Sequence, residues 1–199
     1  MDLRKRRSQE KLQVALAHHL QDKTIDEITI GELTKTAGVS RQTFYSNFDS
    51  KQSILLSRIE GLFERSKQHF ESIQSRDDLG REEVVELGIK HLLLECDKER
   101  TLMRAAFTGQ AGIQCLSLVK SIMEKVISDR ILFQFNYNFT KEQLDTISQF
   151  YAGGLIGMLQ GWLLDERIEK DIDLVVRQIG RLIPHGLDGY ISQTLNQSR

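Results

Sequence analysis

Residues Glu27 to Lys51 read EITIGELTKTAGVSRQTFYSNFDSK. Thr29-Ile30-Gly31-Glu32 is a capping box, in which a threonine oxygen and a glutamate carboxylate satisfy backbone donors at a helix start. The helix it opens should end before Gly38, where glycine takes the left-handed conformation of a tight turn without a Cβ penalty. Ser40 is the next good N-cap, and Asp49 or Ser50 the one after it. Two short helices joined by Ala37-Gly38-Val39 form a helix-turn-helix pattern, with small Ala37 allowing close approach. Ile30, Leu33, Val39, Phe44 and Phe48 supply its apolar inside, while Arg41, Gln42, Tyr45 and Ser46 lie together on another side.

That second side carries groups able to read DNA. Arginine bonds to guanine O6 and N7 and glutamine to adenine N6 and N7 in the major groove, so Arg41 and Gln42 are the candidates for base readout. Thr43 suits a base methyl or a phosphate. Tyr45, Asn47 and Lys51 suit phosphate oxygens, which fix register and not sequence, and Thr29 with the amides at its helix start is a further candidate phosphate clamp.

The run Ala37-Gly38-Val39-Ser40-Arg41-Gln42-Thr43-Phe44-Tyr45-Ser46-Asn47-Phe48-Asp49-Ser50-Lys51 resembles the signature of the TetR family. Two positions depart from it: Lys23-Thr24-Ile25 replaces the usual Gly-aromatic pair, and Asn47 stands where histidine is frequent. The resemblance implies an all-helical homodimer, three N-terminal helices for DNA, and a C-terminal cavity whose ligand alters DNA affinity. The organisation expected is therefore all-α with about nine helices: a three-helix helix-turn-helix DNA-binding domain over 1–50 and a larger helical dimerisation and ligand-sensing domain over 51–199.

Outside the signature, helices are placed by caps and periodicity. Leu12, Ala15, Leu16, Ala17 and Leu20 recur at helical spacing and predict a first helix from about Arg4 to Gln21, followed by a loop over Asp22 to Thr29. A long fourth helix should reach toward Ile73. Val84, Val85, Leu87, Leu92 and Leu94 mark a fifth, Leu102 to Phe107 a short sixth and Ile113 to Ile131 a seventh. Thr140-Lys141-Glu142-Gln143, a second capping box, opens an eighth toward Glu166. Asp171 starts the last, which should bend or break near Pro184 and Gly186.

The 199 residues suffice for a proper core, and the single proline agrees with an all-α chain. A net charge of −1 conceals a mild asymmetry: residues 1–58 carry 10 Lys and Arg against 7 Asp and Glu, and the remainder 17 against 21. A basic head on an acidic body suits a protein that offers one end to phosphate. The most apolar segment, Leu155 to Leu164, falls well short of the roughly 20 residues that span a bilayer. With no signal-peptide pattern and no CxxC pair, the cytoplasm is the expected compartment.

Several features admit two readings. Arg4-Lys5-Arg6-Arg7 is either a DNA-contacting arm or a solvated face. Gly153, Gly157 and Gly161 at i, i+4, i+8, with Trp162 beside them, read as a dimer seam or as packing inside one subunit. Met103, Phe107 and Met123, with Phe133, Phe135 and Tyr137, line an apolar ligand pocket or are plain core. Cys96 and Cys115 are oxidant sensors or inert buried thiols. His91, Glu95 and Cys96 lack a second cluster to complete a four-ligand metal set, so no metal and no cofactor is expected. No P-loop, GxSxG elbow or HExxH helix is present, and no enzymatic activity is expected. The function expected is that of a sequence-specific DNA-binding transcriptional regulator, a repressor bound to a double-stranded operator and released by an unknown small-molecule effector. An activator acting through a protein partner and a DNA-bound structural protein are the alternatives.

Overall fold

The structure, a computed structural model, describes residues 3–108, 112–134, 139–165 and 171–197. Among them lie nine helices and no strand: α1 Leu3–His19, α2 Ile30–Ala37, α3 Arg41–Tyr45, α4 Lys51–Gln74, α5 Arg81–Lys98, α6 Arg100–Phe107, α7 Gly112–Gln134, α8 Lys141–Leu164 and α9 Ile172–Gln197. The all-α expectation holds. The expected end of α8 at Glu166, and Phe135 and Tyr137, lie outside the described residues.

The helices gather into two compact units, one of Met1–Leu62 with Glu99–Met123 and the other of Phe63–Lys98 with Glu124–Arg199. In the first, α1 packs against α2 and α3. Leu12, Leu16, Ile28, Leu33, Phe44, Ile54 and Leu55 are buried there, the apolar stripe that helical periodicity picks out. Gln13 donates to Ser57 Oγ at 3.3 Å, and the Arg58 guanidinium pairs with the Glu99 carboxylate.

In the second unit α5 runs along α9. Lys90 Nζ lies 2.6 Å from Asp173 Oδ1 and Arg81 Nη1 2.8 Å from Asp188 Oδ1. Gly180 lets the two helices approach closely, since a Cβ there would meet the Glu86 side chain and force it to shift. A further cluster joins Ile131, Ile147 and Leu187, with Ile127, Leu144, Tyr151 and Ile183 against it.

At Pro184 the helix does not break, since α9 runs as a single helix through it. Proline removes one backbone donor, but Pro184, Val175, Val176 and Leu187 are all buried. Packing of an apolar face supplies most helical stability in proteins and here outweighs the lost bond.

Candidate nucleic-acid interface

Both ends of α2 are held by the chemistry its sequence announces. Thr29 Oγ1 accepts from Glu32 N at 3.2 Å, and the Glu32 carboxylate accepts from Thr29 N at 2.8 Å. The same carboxylate accepts from Thr29 Oγ1 at 2.8 Å, and its other oxygen lies 2.5 Å from Lys23 Nζ. These bonds, that to Lys23 first, hold the Glu32 carboxyl down to about 2. At the other end Gly38 sits at φ 63°, and its N–H and that of Val39 return to Lys35 O and Thr34 O at 3.2 and 3.0 Å. The turn is a Schellman-type stop closed by a left-handed glycine.

Ser40 Oγ accepts from Thr43 N at 3.0 Å and so opens α3, whose Phe44 ring is fully buried. With Phe44 inward, Arg41, Gln42 and Tyr45 stand exposed on the outside, Tyr45 edge-on to the Phe44 ring at 5.2 Å. Arg41 Nη2 reaches back over the start of α2, 3.4 Å from where a Gly31 Cβ would be. Thr43 is half-buried, its hydroxyl 2.9 Å from Ser40 Oγ.

The remaining candidates are occupied by the motif itself. Thr29 is committed to its capping box. Asn47 Nδ2 donates to Thr43 O at 2.7 Å and so ties off the end of α3. Lys51 Nζ donates to the carbonyl oxygens of Asp26 and Ile28, each at 2.8 Å, joining the start of α4 to the α1–α2 loop. That loop holds a feature the sequence reading left unassigned: Thr24 N and Oγ1 donate to Glu27 Oε2 at 2.8 and 2.9 Å, lowering the Glu27 carboxyl. Its T-x-x-E spacing was the available signal. Ser50, of the two residues expected to cap α4, is the one that accepts from Ser53 N.

Elsewhere the candidate residues separate. Met103, Phe107 and Met123 are buried side chains of the first unit. The cleft of about 230 Å³ in the second unit is lined by Glu124, Lys125, Ser128, Asp129, Asp145, Ser148 and Gln149, a polar set. On α8, Gly153 and Gly157 face open space and Gly161 is half-buried, whereas Trp162 is 1% exposed. Residues advance by about 100° around a helix, so Trp162 turns away from the face its glycine neighbours occupy. Phe133 is exposed. Burial pushes the Cys96 thiol up to about 12 and Cys115 to about 11. His91 stacks on His69 at 3.9 Å between ring centroids, and burial first, then the charge of His69, lowers its basicity.

A helix-turn-helix with a closed scaffold and an outward arginine, glutamine and tyrosine defines a DNA-binding regulator. Comparison with known proteins agrees. The profile described as "Bacterial regulatory proteins, tetR family" matches residues 15–57, and that described as "Transcriptional regulator C-terminal region" matches residues 83–184, just over half of the chain. The chain belongs to the TetR family of transcriptional regulators.

The HTH-type transcriptional regulator EthR of Mycobacterium tuberculosis is 26% identical over 111 residues, 55% of this chain and 51% of that protein. EthR of Mycolicibacterium smegmatis is 35% identical over 71 residues, 36% of this chain and 33% of that protein. The match thus spans about half of the length of one of these curated relatives and a third of the other. Among solved structures, the dihydroxyacetone kinase operon activator DhaS superposes with a TM-score of 0.67 at 16% identity, over 91% of this chain and 96% of that one. The transcriptional regulator FadR of Bacillus subtilis, in complex with stearoyl-CoA, does so with a TM-score of 0.63 at 14% identity, over 87% and 96%. At such identities these likenesses concern the fold alone.

Proposed function

We propose that this regulator is a cytoplasmic homodimeric repressor that binds a roughly palindromic operator through α3 and leaves it when a small molecule occupies the C-terminal helices. The observation that carries the reading is the exposure of Arg41, Gln42 and Tyr45 on a helix whose other groups are committed to the motif. Arg41 and Gln42 read bases, Thr43 and Tyr45 make the neighbouring methyl or phosphate contacts, and Thr29, Asn47 and Lys51 hold the frame that presents them.

Dimerisation is supported by apolar surface that one chain leaves bare. Phe150 is 75% exposed next to the open Gly153 and Gly157 on α8, and Leu182 is 67% exposed on α9. A two-fold pair would place two recognition helices one DNA turn apart, about 34–36 Å, and square a modest single-site preference. Release by an effector is supported by the bound stearoyl-CoA of the FadR structure. An effector that weakens operator binding by some factor must itself be weakened by operator to the same degree.

Selection from random duplex DNA at physiological salt tests the readout, and a motif of two inverted half-sites is expected. Recovery of no motif would leave only non-specific phosphate attraction. A second reading, an activator, is favoured by the similarity to DhaS, an operon activator. Transcription in vitro from the selected operator separates the two by sign.

A further inference from the structure

Arg130, in the last turn of α7, has an environment that its place in the helix does not explain. Its guanidinium carbon lies 5.9 Å from the centroid of the Phe70 ring and 5.7 Å from that of Phe133, so the cation is framed by two aromatic faces. Phe70 is held from its other side, where a Cβ on Gly88 would collide with the ring, so α5 pins it in place. Arg130 Nε is shut off from solvent and has no hydrogen-bond partner among the described residues, and no carboxylate among them pairs with the group. The charge acting on it is that of another cation, Arg81, which is itself paired with Asp188. Burial first, and then Arg81, lowers its basicity, so the folded protein holds this charge at a cost.

A cation near a helix C-terminus gains from the helix dipole, but that gain does not require burying Nε or enclosing the group in aromatic rings. A desolvated guanidinium without a counter-charge is costly alone and becomes favourable when an oxyanion supplies the missing acceptors in bidentate geometry. Beside it the Phe133 ring is more than half exposed.

We propose that Arg130 is the anchor of an effector site for a monoanionic amphipathic carboxylate, the guanidinium taking the carboxylate while the apolar remainder lies against Phe133 and its neighbours. One positive charge with no carboxylate partner among the described residues balances one carboxylate, and a phosphate dianion would leave a charge uncompensated. The proposal deepens the effector part of the function proposed above and rests on it, and binding without DNA tests it separately.

Calorimetric titration of the full-length protein with decanoate, 1-decanol and decyl phosphate is the test, alongside Arg130→Met and Arg130→Lys. Decanoate should bind the unaltered protein and bind Arg130→Met roughly 30-fold more weakly, the loss expected for a charged hydrogen-bonded pair. Arg130→Lys, which keeps the charge without the planar fork, should fall between them and guards against a folding defect in the methionine variant. The proposal is overturned if decanoate does not bind, if decanol or decyl phosphate binds as tightly, or if decanoate affinity is the same in all three proteins. Operator affinity with and without decanoate is measured by fluorescence anisotropy. Binding through Arg130 with no change in operator affinity leaves the carboxylate site standing and removes the release mechanism, whereas unimpaired operator binding with no decanoate affinity does the reverse.

Discussion

Replacing Lys51 by methionine separates two roles that a lysine beside a DNA-reading helix can have. Its Nζ makes two bonds of 2.8 Å, to Asp26 O and Ile28 O, and the side chain is half-buried. Bonds involving a charged group contribute about 1.5–3 kcal/mol each, but partial solvent access and the roughly 2 kcal/mol of lysine rotamer entropy released on substitution offset much of that sum. A net loss of about 2 kcal/mol in unfolding free energy follows, which for a chain of this size lowers the melting temperature by roughly 4–8 °C. Lys51→Met should therefore melt earlier and bind all operators more weakly, while the dependence of log K on log salt keeps its slope. A phosphate contact behaves oppositely: each one removed lowers the slope by about 0.9 and need not change stability. Unchanged melting together with a slope reduced by one would refute the reading of Lys51 as a strut between the α1–α2 loop and α4.

Gly38→Ala should cost about 1–2 kcal/mol because only the left-handed backbone is strained, no atom lying within 4 Å of the new Cβ, and Gly38→Asn should cost less in the same urea titration. Arg41→Ala and Gln42→Ala should each lose about 1–3 kcal/mol at one base pair with stability unchanged, checked by competition among operators altered singly. The Glu32 carboxyl should titrate near 2 by carbon-detected NMR, against an ordinary value of 4.5. Since its folded value is depressed, the stability it contributes is present above the ordinary value and lost as pH falls through about 2, and a midpoint near 4.5 would mean that Lys23 and Thr29 do not hold it. Phe150→Glu should yield monomers in sedimentation equilibrium, and an unchanged dimer would remove α8 from the proposed seam.

What the sequence made legible is what neighbours three or four residues apart decide. Both capping boxes, at Thr29 and Thr140, form as their spacing predicts, and Gly38 closes its turn. The α1–α2 loop was legible in principle, because Thr24 and Glu27 repeat the spacing of Thr29 and Glu32, but Glu27 N donates to the Thr24 carbonyl and no helix follows. Partners far apart in sequence were not. Lys51 finds carbonyls more than twenty residues away, and its type alone suits a phosphate equally well. Trp162 shows the limit of reading one helix: its place beside Gly161 put it with the glycines, but adjacency in sequence does not say which residues turn into the subunit's own core. At Pro184 a local rule was outweighed by the burial of one apolar face that includes Pro184 and Leu187.

The seven residues that composition alone marks as DNA contacts divide once their hydrogen bonds are followed. Thr29, Asn47 and Lys51 have donors or acceptors on backbone groups of the motif, and Arg41, Gln42 and Tyr45 carry exposed polar groups. A polar group bonded to the main chain of the motif stabilises it whether or not DNA is present, so its loss appears in the free protein first and lowers affinity for every sequence alike. An exposed side chain held by no such bond contributes little to the free protein, so its loss appears only in the complex and, for Arg41 and Gln42, only at the base pair read. Stability and sequence preference should therefore vary independently across this site, with Thr43 between the two groups because its hydroxyl meets Ser40 while its methyl is available to a base. A threonine-to-valine change there would keep the methyl and remove the hydroxyl, so it should weaken the cap of α3 and leave base preference intact.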